Sequence, residues 1–454
     1  MKTEQDGCFN IHIKVNSIFI LVLLCSAVMV SDSAMVGIYL NIPREPPASI
    51  TAVIFTAFVI FFVLSNYFLI KFSKQGTEVI DHRPDRPFRL LYWVILPIQI
   101  TLCIILTSLL IQVLTSSSYN LVFVSYAVYI SHLSCIGYLT LLAYQFFLWL
   151  RSYRNYLIIL YTSAFSILVL NVVTSLIFLG LDLSFYDQNI EKMAIKRFIG
   201  VSSNPTIKLS FISTFYDYLS IIAFVGIWIT TSILLKSYTM RFGKILFWTI
   251  VSIPLIFFIF PFLANEVGIF DNLRFEYGRS FNLIYYAFFS PYKQVGGMLF
   301  GVAFWIAATR TRRKNLRLLL QTTGVGMILV FGSLVIHGLA YITFPPFGVI
   351  TTLFMGLGSY MLLIGIYGSS RELARDASVR RELYNIAEEQ PGLLRHIGTA
   401  EIERLLEKRV KSVMDKADTL TGYDTDINTE QEDVKVMIKE VLNELKKIEQ
   451  DKKK

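Results

Sequence analysis

Residues 347–375 read FGVITTLFMGLGSYMLLIGIYGSSRELAR, and this stretch decides the class of fold. Its first 22 residues carry no charge, and about 20 apolar residues in a helix are enough to cross the hydrocarbon core of a bilayer. Tyr367 runs without a break into Gly368, Ser369, Ser370 and Arg371. The stretch therefore predicts a transmembrane helix that continues into water as one rod.

Eight more apolar runs of this length precede it. Hydrophobic residues make up 54% of the 454 residues and charged residues 17%, whereas soluble chains carry about a quarter charged residues. The composition excludes a set of soluble domains and predicts an all-α, polytopic transmembrane helix bundle. The nine predicted spans lie near 50–70, 90–114, 121–150, 156–180, 215–235, 245–263, 281–308, 318–342 and 347–368.

Basic residues are concentrated in alternate loops. Loops 71–89, 151–155, 236–244 and 309–317 hold 15 Lys and Arg, and the intervening loops hold 7 although they are longer. Because Lys and Arg are enriched on the cytoplasmic side of a membrane, this asymmetry places the C-terminus in the cytoplasm. We expect a multi-pass protein of the plasma membrane, and the basic excess indicates topology rather than nucleic-acid binding.

The N-terminal apolar run, residues 18–30, has two interpretations. Its 13 residues, followed by Ser31, Asp32 and Ser33, fit a secretory signal peptide that is cleaved near Ser33. Alternatively, the helix continues to Leu40 as a tenth span. Both interpretations place residue 45 outside the cell.

The chain therefore divides into three segments. We expect residues 1–33 to be a signal peptide or the first transmembrane helix, residues 34–368 to be the multi-span bundle, and residues 369–454 to be a cytoplasmic helical tail. The third segment is rich in charge, because its 86 residues hold 17 basic and 19 acidic groups.

Lys293 is the only Lys or Arg in the middle of a predicted span, and a charge there is costly enough to be a functional candidate. It lies between Pro291 and the pair Gly296 and Gly297, so we expect the helix 281–308 to be kinked or broken. The lysine is then a counter-ion for an anionic ligand. The alternative is a lysine that extends to the outer interface.

His132, His337 and Gln99 are the other candidates for a ligand or substrate site. Two facing imidazoles can bind a haem iron or another metal, but each histidine is alone on its helix and further ligands are lacking. A hydrogen bond to a neighbouring helix is the alternative. No Asp or Glu falls in the middle of a predicted span. We therefore expect no metal, no cofactor and no catalytic residues, and hence a protein that is not an enzyme.

The sequence of the tail predicts two further helices. One starts near Thr399 and places Ile402, Leu405 and Leu406 on an apolar stripe, and the other covers residues 429–450. Such a narrow stripe needs a partner. We expect a coiled coil or hairpin, and the possible partners through residues 399–450 are the other tail helix, a second subunit, a cytoplasmic protein or the membrane surface.

The C-terminal quarter resembles a known group of proteins. The residues concerned run from Phe344-Pro345-Pro346-Phe347-Gly348 through Ile366-Tyr367-Gly368-Ser369-Ser370 to Ile397-Gly398-Thr399-Ala400-Glu401. They are similar to an uncharacterised family of polytopic membrane proteins from ammonia-oxidising archaea. The resemblance implies an archaeal plasma membrane, and it implies no activity because the family has none assigned.

Three classes of function follow from these residues. The first is a non-enzymatic sensor or scaffold, in which the exit helix passes motion from the bundle to the tail. The second is a transporter or channel with a mid-membrane site near Lys293. The third is a lipid-modifying enzyme that uses the polar loop 81–87, although its arginines and prolines are better explained as a topology signal and a turn. We expect the first.

Overall fold

The computed structural model describes eleven ranges of the chain, which are 15–41, 48–80, 87–116, 118–186, 194–196, 207–236, 243–289, 292–311, 313–334, 344–375 and 396–408. Almost all of these residues are helical. The helices are α1 (Val15–Asn41), α2 (Ala48–Ile80), α3 (Pro87–Ser116), α4 (Leu121–Ser152), α5 (Tyr156–Tyr186), α6 (Ile207–Lys236), α7 (Lys244–Glu266), α8 (Asp271–Phe289), α9 (Tyr292–Arg310), α10 (Lys314–Ser333) and α11 (Val349–Arg375). A twelfth helix, α12, covers residues 396–408.

Nine helices of the described ranges are long and apolar enough to cross a membrane. They are α1 to α7, α10 and α11. The fold is therefore all-α and typical of an integral membrane protein, as the sequence predicts. The set differs from the predicted one, because α1 belongs to it and residues 281–308 do not.

The predicted span 281–308 consists of two helices. Helix α8 ends at Phe289 and α9 begins at Tyr292, so the break expected beside Lys293 is present. Neither of the two helices is among the candidate membrane spans of the described residues. Proline lacks a backbone N–H and obstructs the preceding turn, and Pro291 lies between the two helices. The span predicted for 318–342 is described as a helix to Ser333.

Helices α10 and α11 form the centre of the bundle. Residues 349–370 of α11 are all buried, and so are residues 319–333 of α10. Their sequences are rich in glycine, serine and threonine, and such small residues let helix backbones approach closely in a membrane. A Cβ at Gly326 would lie 2.6 Å from the backbone N of Leu362. The interface therefore accepts no side chain at that point.

Helix α9 packs on α10 through the small residues that the sequence contains at Gly297 and Gly301. A Cβ at Gly301 would lie 2.5 Å from the carbonyl oxygen of Gly324 on α10. Both glycines of this small-xxx-small pattern therefore serve packing within the chain.

The outer helices have the opposite character. Within the 18 most apolar consecutive residues of each helix, only 28% are buried in α3 and 22% in α7. Their exposed side chains are large and apolar, such as Trp93, Ile104 and Ile256. Inside a membrane no water surrounds the protein, so large apolar side chains can face outward. This surface therefore contacts lipid. The bundle thus contacts the bilayer through large apolar residues and is packed inside through small ones.

Two short strands lie in the loops at the predicted outer face. Residues Ser118–Asn120 form β1 and residues Ala194–Lys196 form β2, and the two strands pair antiparallel. Tyr119 of β1 pairs with Ile195 of β2, so each strand supplies the hydrogen-bonding partner of the other.

Asp32 of α1 caps the N-terminus of α11. Its carboxylate accepts hydrogen bonds from the backbone N of Gly348 (2.9 Å), from the backbone N of Thr351 (2.9 Å) and from the Thr351 hydroxyl (2.8 Å). A residue at the start of a helix often supplies such an acceptor itself. Gly348 has no side chain, so the acceptor comes from another helix.

This contact lies on a helix that the sequence leaves open to two interpretations. Helix α1 is continuous through Ser33 to Asn41, which fits the tenth-span interpretation. Asp32 is fully buried near the end of the span Ile18–Val36, whereas the predicted spans have no Asp or Glu in their middle. A buried carboxylate is tolerable when donors surround it, and the free N–H groups of α11 are those donors.

We predict that Asp32→Ala lowers the thermal stability of the purified protein by about 3 kcal/mol, because buried donors then lose a charged acceptor. The midpoint of thermal aggregation in detergent measures this loss. Ser31→Ala is the matched control, since Ser31 is the preceding residue of α1 and is exposed. Equal midpoints for the two variants would contradict the capping role of Asp32.

Candidate functional site

Lys293 is buried at the start of α9, where three helices meet. Its ammonium donates to the carbonyl oxygen of Leu334, after α10, at 2.8 Å and to the hydroxyl of Tyr216 on α6 at 3.0 Å. The Nζ atom also lies 4.8 Å from the ring centroid of Tyr216. Lys293 is 2% exposed, so the alternative of a lysine extended to the interface does not describe this side chain. It joins α6, α9 and the end of α10.

Tyr216 extends this polar group towards α5. Its hydroxyl donates to the carbonyl oxygen of Leu334 at 3.0 Å, and its own carbonyl oxygen accepts from Asn171 Nδ2 at 3.0 Å. Asp217, the next residue, is the acidic group that acts electrostatically on Lys293. The charge of Lys293 is therefore partly balanced from within the bundle.

The space beside Lys293 is small. A cavity of about 10 Å³ lies between Asn171, Phe224 and Lys293, and a single water needs at least about 10–15 Å³. Phe224 and Phe258 are stacked with centroids 3.8 Å apart and form its apolar wall. The arrangement holds helices together, and it leaves no room for a substrate among the described residues.

The other three candidates do not join Lys293. His132 lies on α4, where Nδ1 is 2.9 Å from the Val128 carbonyl oxygen and Nε2 is 3.2 Å from the Ser175 hydroxyl of α5. This is the interhelical bonding that was the alternative to a metal ligand. Gln99 is buried on α3, in a separate groove. His337 lies outside the described residues, and among those described no three His, Cys, Asp or Glu side chains form a cluster that could bind a metal.

The tail helix α12 docks on the bundle at the face that the charge rule predicts to be cytoplasmic. Glu401 on α12 is 1% exposed. It accepts a hydrogen bond from the indole Nε1 of Trp149 on α4 at 2.8 Å. Its other carboxylate oxygen lies 3.8 Å from Nε of Arg371 on α11. One buried carboxylate thus contacts two different helices of the bundle.

Further contacts surround this carboxylate. Arg404 lies 3.3 Å from Glu401 within α12. His396 stacks on Tyr153, with ring centroids 6.0 Å apart, and its Nδ1 lies 3.2 Å from the amide nitrogen of Asn155. A buried charge is stable only when it is paired and hydrogen-bonded, and these contacts provide both.

The docked face of α12 is not the apolar stripe that the sequence predicts. The buried residues are Ile397, Gly398, Ala400 and Glu401. On the predicted stripe, Leu405 is exposed and Ile402 and Leu406 are half-buried. The face that binds the bundle is therefore the one that carries Ile397 and Glu401, and not the predicted stripe. The helix predicted for 429–450 lies outside the described residues.

Sequence reasoning missed the partners that decide this site. Trp149 and Arg371 each lie at the end of a predicted span, where aromatic and basic residues are common. Glu401 lies in a charged segment where an exposed acid is the ordinary expectation. The one available signal was the position of Glu401 one residue after Ala400 and four after Ile397, on the small apolar face of its helix.

Comparison with known proteins gives no match, since no family model, no curated protein and no solved structure is significantly similar to this chain. The fold alone therefore defines the class, which is an all-α integral membrane protein with nine candidate spans among the described residues.

We predict that Lys293→Met lowers the thermal stability of the protein by about 1–3 kcal/mol, because Leu334 and Tyr216 lose a charged donor. The midpoint of thermal aggregation in detergent measures the effect. Lys314→Met is the matched control, since Lys314 is exposed at the start of α10. A lysine that is buried only to bind a ligand destabilises the ligand-free protein, so its replacement leaves the midpoint unchanged or raises it. Either result for Lys293→Met would contradict the structural role.

Proposed function

We propose that this protein is a non-enzymatic membrane sensor or scaffold that couples its bundle to the tail through α11 and the docked helix α12. The observation that carries this proposal is the position of Glu401. It binds Trp149 of α4 and Arg371 of α11 at once. Docking of the tail therefore depends on the relative position of these two helices.

Helix α11 is suited to transmit such a change. It is one helix from Val349 to Arg375, so its membrane-spanning part and the residue that contacts Glu401 belong to the same rod. Its outer end is held by Asp32, and its inner part stacks on α3 through Phe88 and Tyr367, with ring centroids 4.7 Å apart. A shift of α11 by a bound signal would move Arg371 relative to Trp149, which weakens one of the two contacts of Glu401.

The tail also offers a surface for a partner. Ile402, Leu405 and Leu406 are at least partly exposed when α12 is docked. We infer that the remainder of the region 399–450 binds a second copy of the chain or a cytoplasmic protein, and that release of α12 alters this binding. The topology in this proposal, with the tail in the cytoplasm of a plasma-membrane protein, rests on the distribution of Lys and Arg.

The proposal also covers the N-terminal helix of the protein and the organism group in which the protein works. We infer that α1 is retained in the working protein, because removal at Ser33 would also remove the carboxylate that caps α11. The archaeal setting rests on the resemblance of the C-terminal quarter. A transport function has less support, because Lys293 is bonded within the bundle and borders only a cavity of about 10 Å³.

We predict that Glu401→Gln releases α12 from the bundle. Amide hydrogen exchange of residues 396–408 in the full chain, reconstituted in nanodiscs, should become at least about tenfold faster, because the buried ion pair with Arg371 is lost. The matched control is Glu407→Gln, since Glu407 is on the same helix and is exposed. Its exchange should equal that of the wild type.

A second arm of this experiment tests transmission through α11. Thr351→Val removes the hydroxyl that donates to Asp32 and leaves the tail untouched. The sensor proposal requires the exchange of residues 396–408 to change in this variant, with the exchange of α5 unaltered. Fast exchange of α12 in the wild type would contradict docking. A response at the N-terminus of α11 with none in α12 would contradict coupling.

A further inference from the structure

A long groove lies between α2 and α3 on the lipid-facing side of the bundle. Its volume is about 850 Å³, and it is lined mainly by apolar side chains such as Ile70, Ile100 and Ile104. The groove follows α3 from Tyr92 to Gln112, a distance of about 30 Å at 1.5 Å per residue. Its length and apolar character fit the chains of a membrane lipid.

Two buried amides distinguish this groove from an ordinary lipid-facing surface. Gln99 is 0% exposed, and neither its Nε2 nor its Oε1 has a hydrogen-bond partner among the described residues. Asn66 faces the same groove. Its Nδ2 donates to Cys103 Sγ at 3.3 Å, and its Oδ1 has no described partner.

An unpaired amide is costly in a membrane, where water is not available to bond it. Both residues line the groove with part of their side chains, so a rotation of each buried amide towards the groove would let a molecule that occupies it satisfy them. The amide of Gln99 is a donor and an acceptor, and the oxygen of Asn66 is an acceptor. The occupant therefore carries polar oxygens at this depth in addition to its apolar part.

The groove has basic residues at the end nearest the predicted cytoplasmic face. Lys71 and Lys74 line it there, on α2. Lys74 forms an exposed pair with Glu78, Nζ to Oε1 at 3.8 Å, so one acid lies beside two bases. Both charged side chains among the described residues that line the groove are basic. This end of the groove lies where the head groups of the lipid leaflet would be.

The spacing of the two kinds of group matches a phospholipid. Lys71 and Lys74 follow Asn66 by five and eight residues, which corresponds to about 7.5 and 12 Å along the helix. A phospholipid carries its phosphate at one end and the oxygens that attach the chains to glycerol a short distance deeper. The long lysine side chains can extend along the helix and make up any difference between these distances and the separation of the phosphate from the glycerol oxygens.

We propose that the α2–α3 groove binds one anionic phospholipid from the leaflet at the predicted cytoplasmic face. Lys71 and Lys74 bind the phosphate, Gln99 and Asn66 bind the glycerol oxygens, and the chains lie along the isoleucines of the groove. This site is independent of the tail-docking proposal, because the contacts that carry that proposal involve Glu401, Trp149 and Arg371, which do not line the groove.

The test is lipid binding by the full chain in detergent, measured by native mass spectrometry with phosphatidylglycerol and phosphatidylcholine of identical chains. The wild type should bind phosphatidylglycerol more tightly. The double variant Lys71→Gln/Lys74→Gln should weaken that binding by more than about tenfold and remove the preference. The control is Lys244→Gln/Lys314→Gln, which removes two exposed lysines at the starts of α7 and α10, at the same predicted face.

The variant Gln99→Leu tests the contact between the amide and the lipid separately from the contacts of the two lysines. It removes a buried group that has no described partner, so the lipid-free variant should be as stable as the wild type or more stable. Added phosphatidylglycerol should then raise its thermal midpoint less than that of the wild type.

Three results would overturn the proposal. They are equal binding of both lipids by the wild type, an equal loss of binding in the control double variant, and an undiminished lipid effect in Gln99→Leu.

Discussion

Helix α11 is enclosed by other helices along its whole membrane-spanning length, so the donors at its N-terminus are out of reach of water. This constraint explains why a carboxylate lies inside α1. Asp32 accepts from Gly348 and Thr351 and replaces the cap that a glycine cannot supply. Close packing around this helix requires small residues, and both α10 and α11 are accordingly rich in glycine, serine and threonine.

The functional proposals follow from the two ends of α11. Its N-terminal end is fixed by a contact within the bundle, whereas its C-terminal end contacts Glu401, which is also bonded to Trp149. A contact shared between two helices is sensitive to their relative position, and the sensor proposal rests on this sensitivity. The groove between α2 and α3 lies beside this system, because Thr77 of α2 shares a hydrogen bond with Tyr360 of α11 at 3.0 Å.

The sequence predicts the class of fold well and the sites poorly, for physical reasons. Apolar length and the positions of Lys and Arg are properties of single segments, so spans, the exit helix and the break near Lys293 can be predicted. The cap by Asp32 joins residues more than 300 positions apart, and no local pattern contains it. The docked face of α12 is small and weakly apolar, so the pattern favoured the stripe at Leu405 instead. Candidates such as His132 proved to bond within the bundle.

The docking of α12 beside the end of α11 is the central claim, and a disulfide tests it most directly. A Cβ at Gly398 would lie 3.1 Å from the Cβ of Leu373, a few tenths of an ångström short of the range of disulfides. In full chains with a protease site inserted between residues 385 and 386, Leu373→Cys/Gly398→Cys should stay joined after cleavage until it is reduced. The control Leu373→Cys/Glu407→Cys should separate. Separation of the first variant under oxidising conditions would contradict the account.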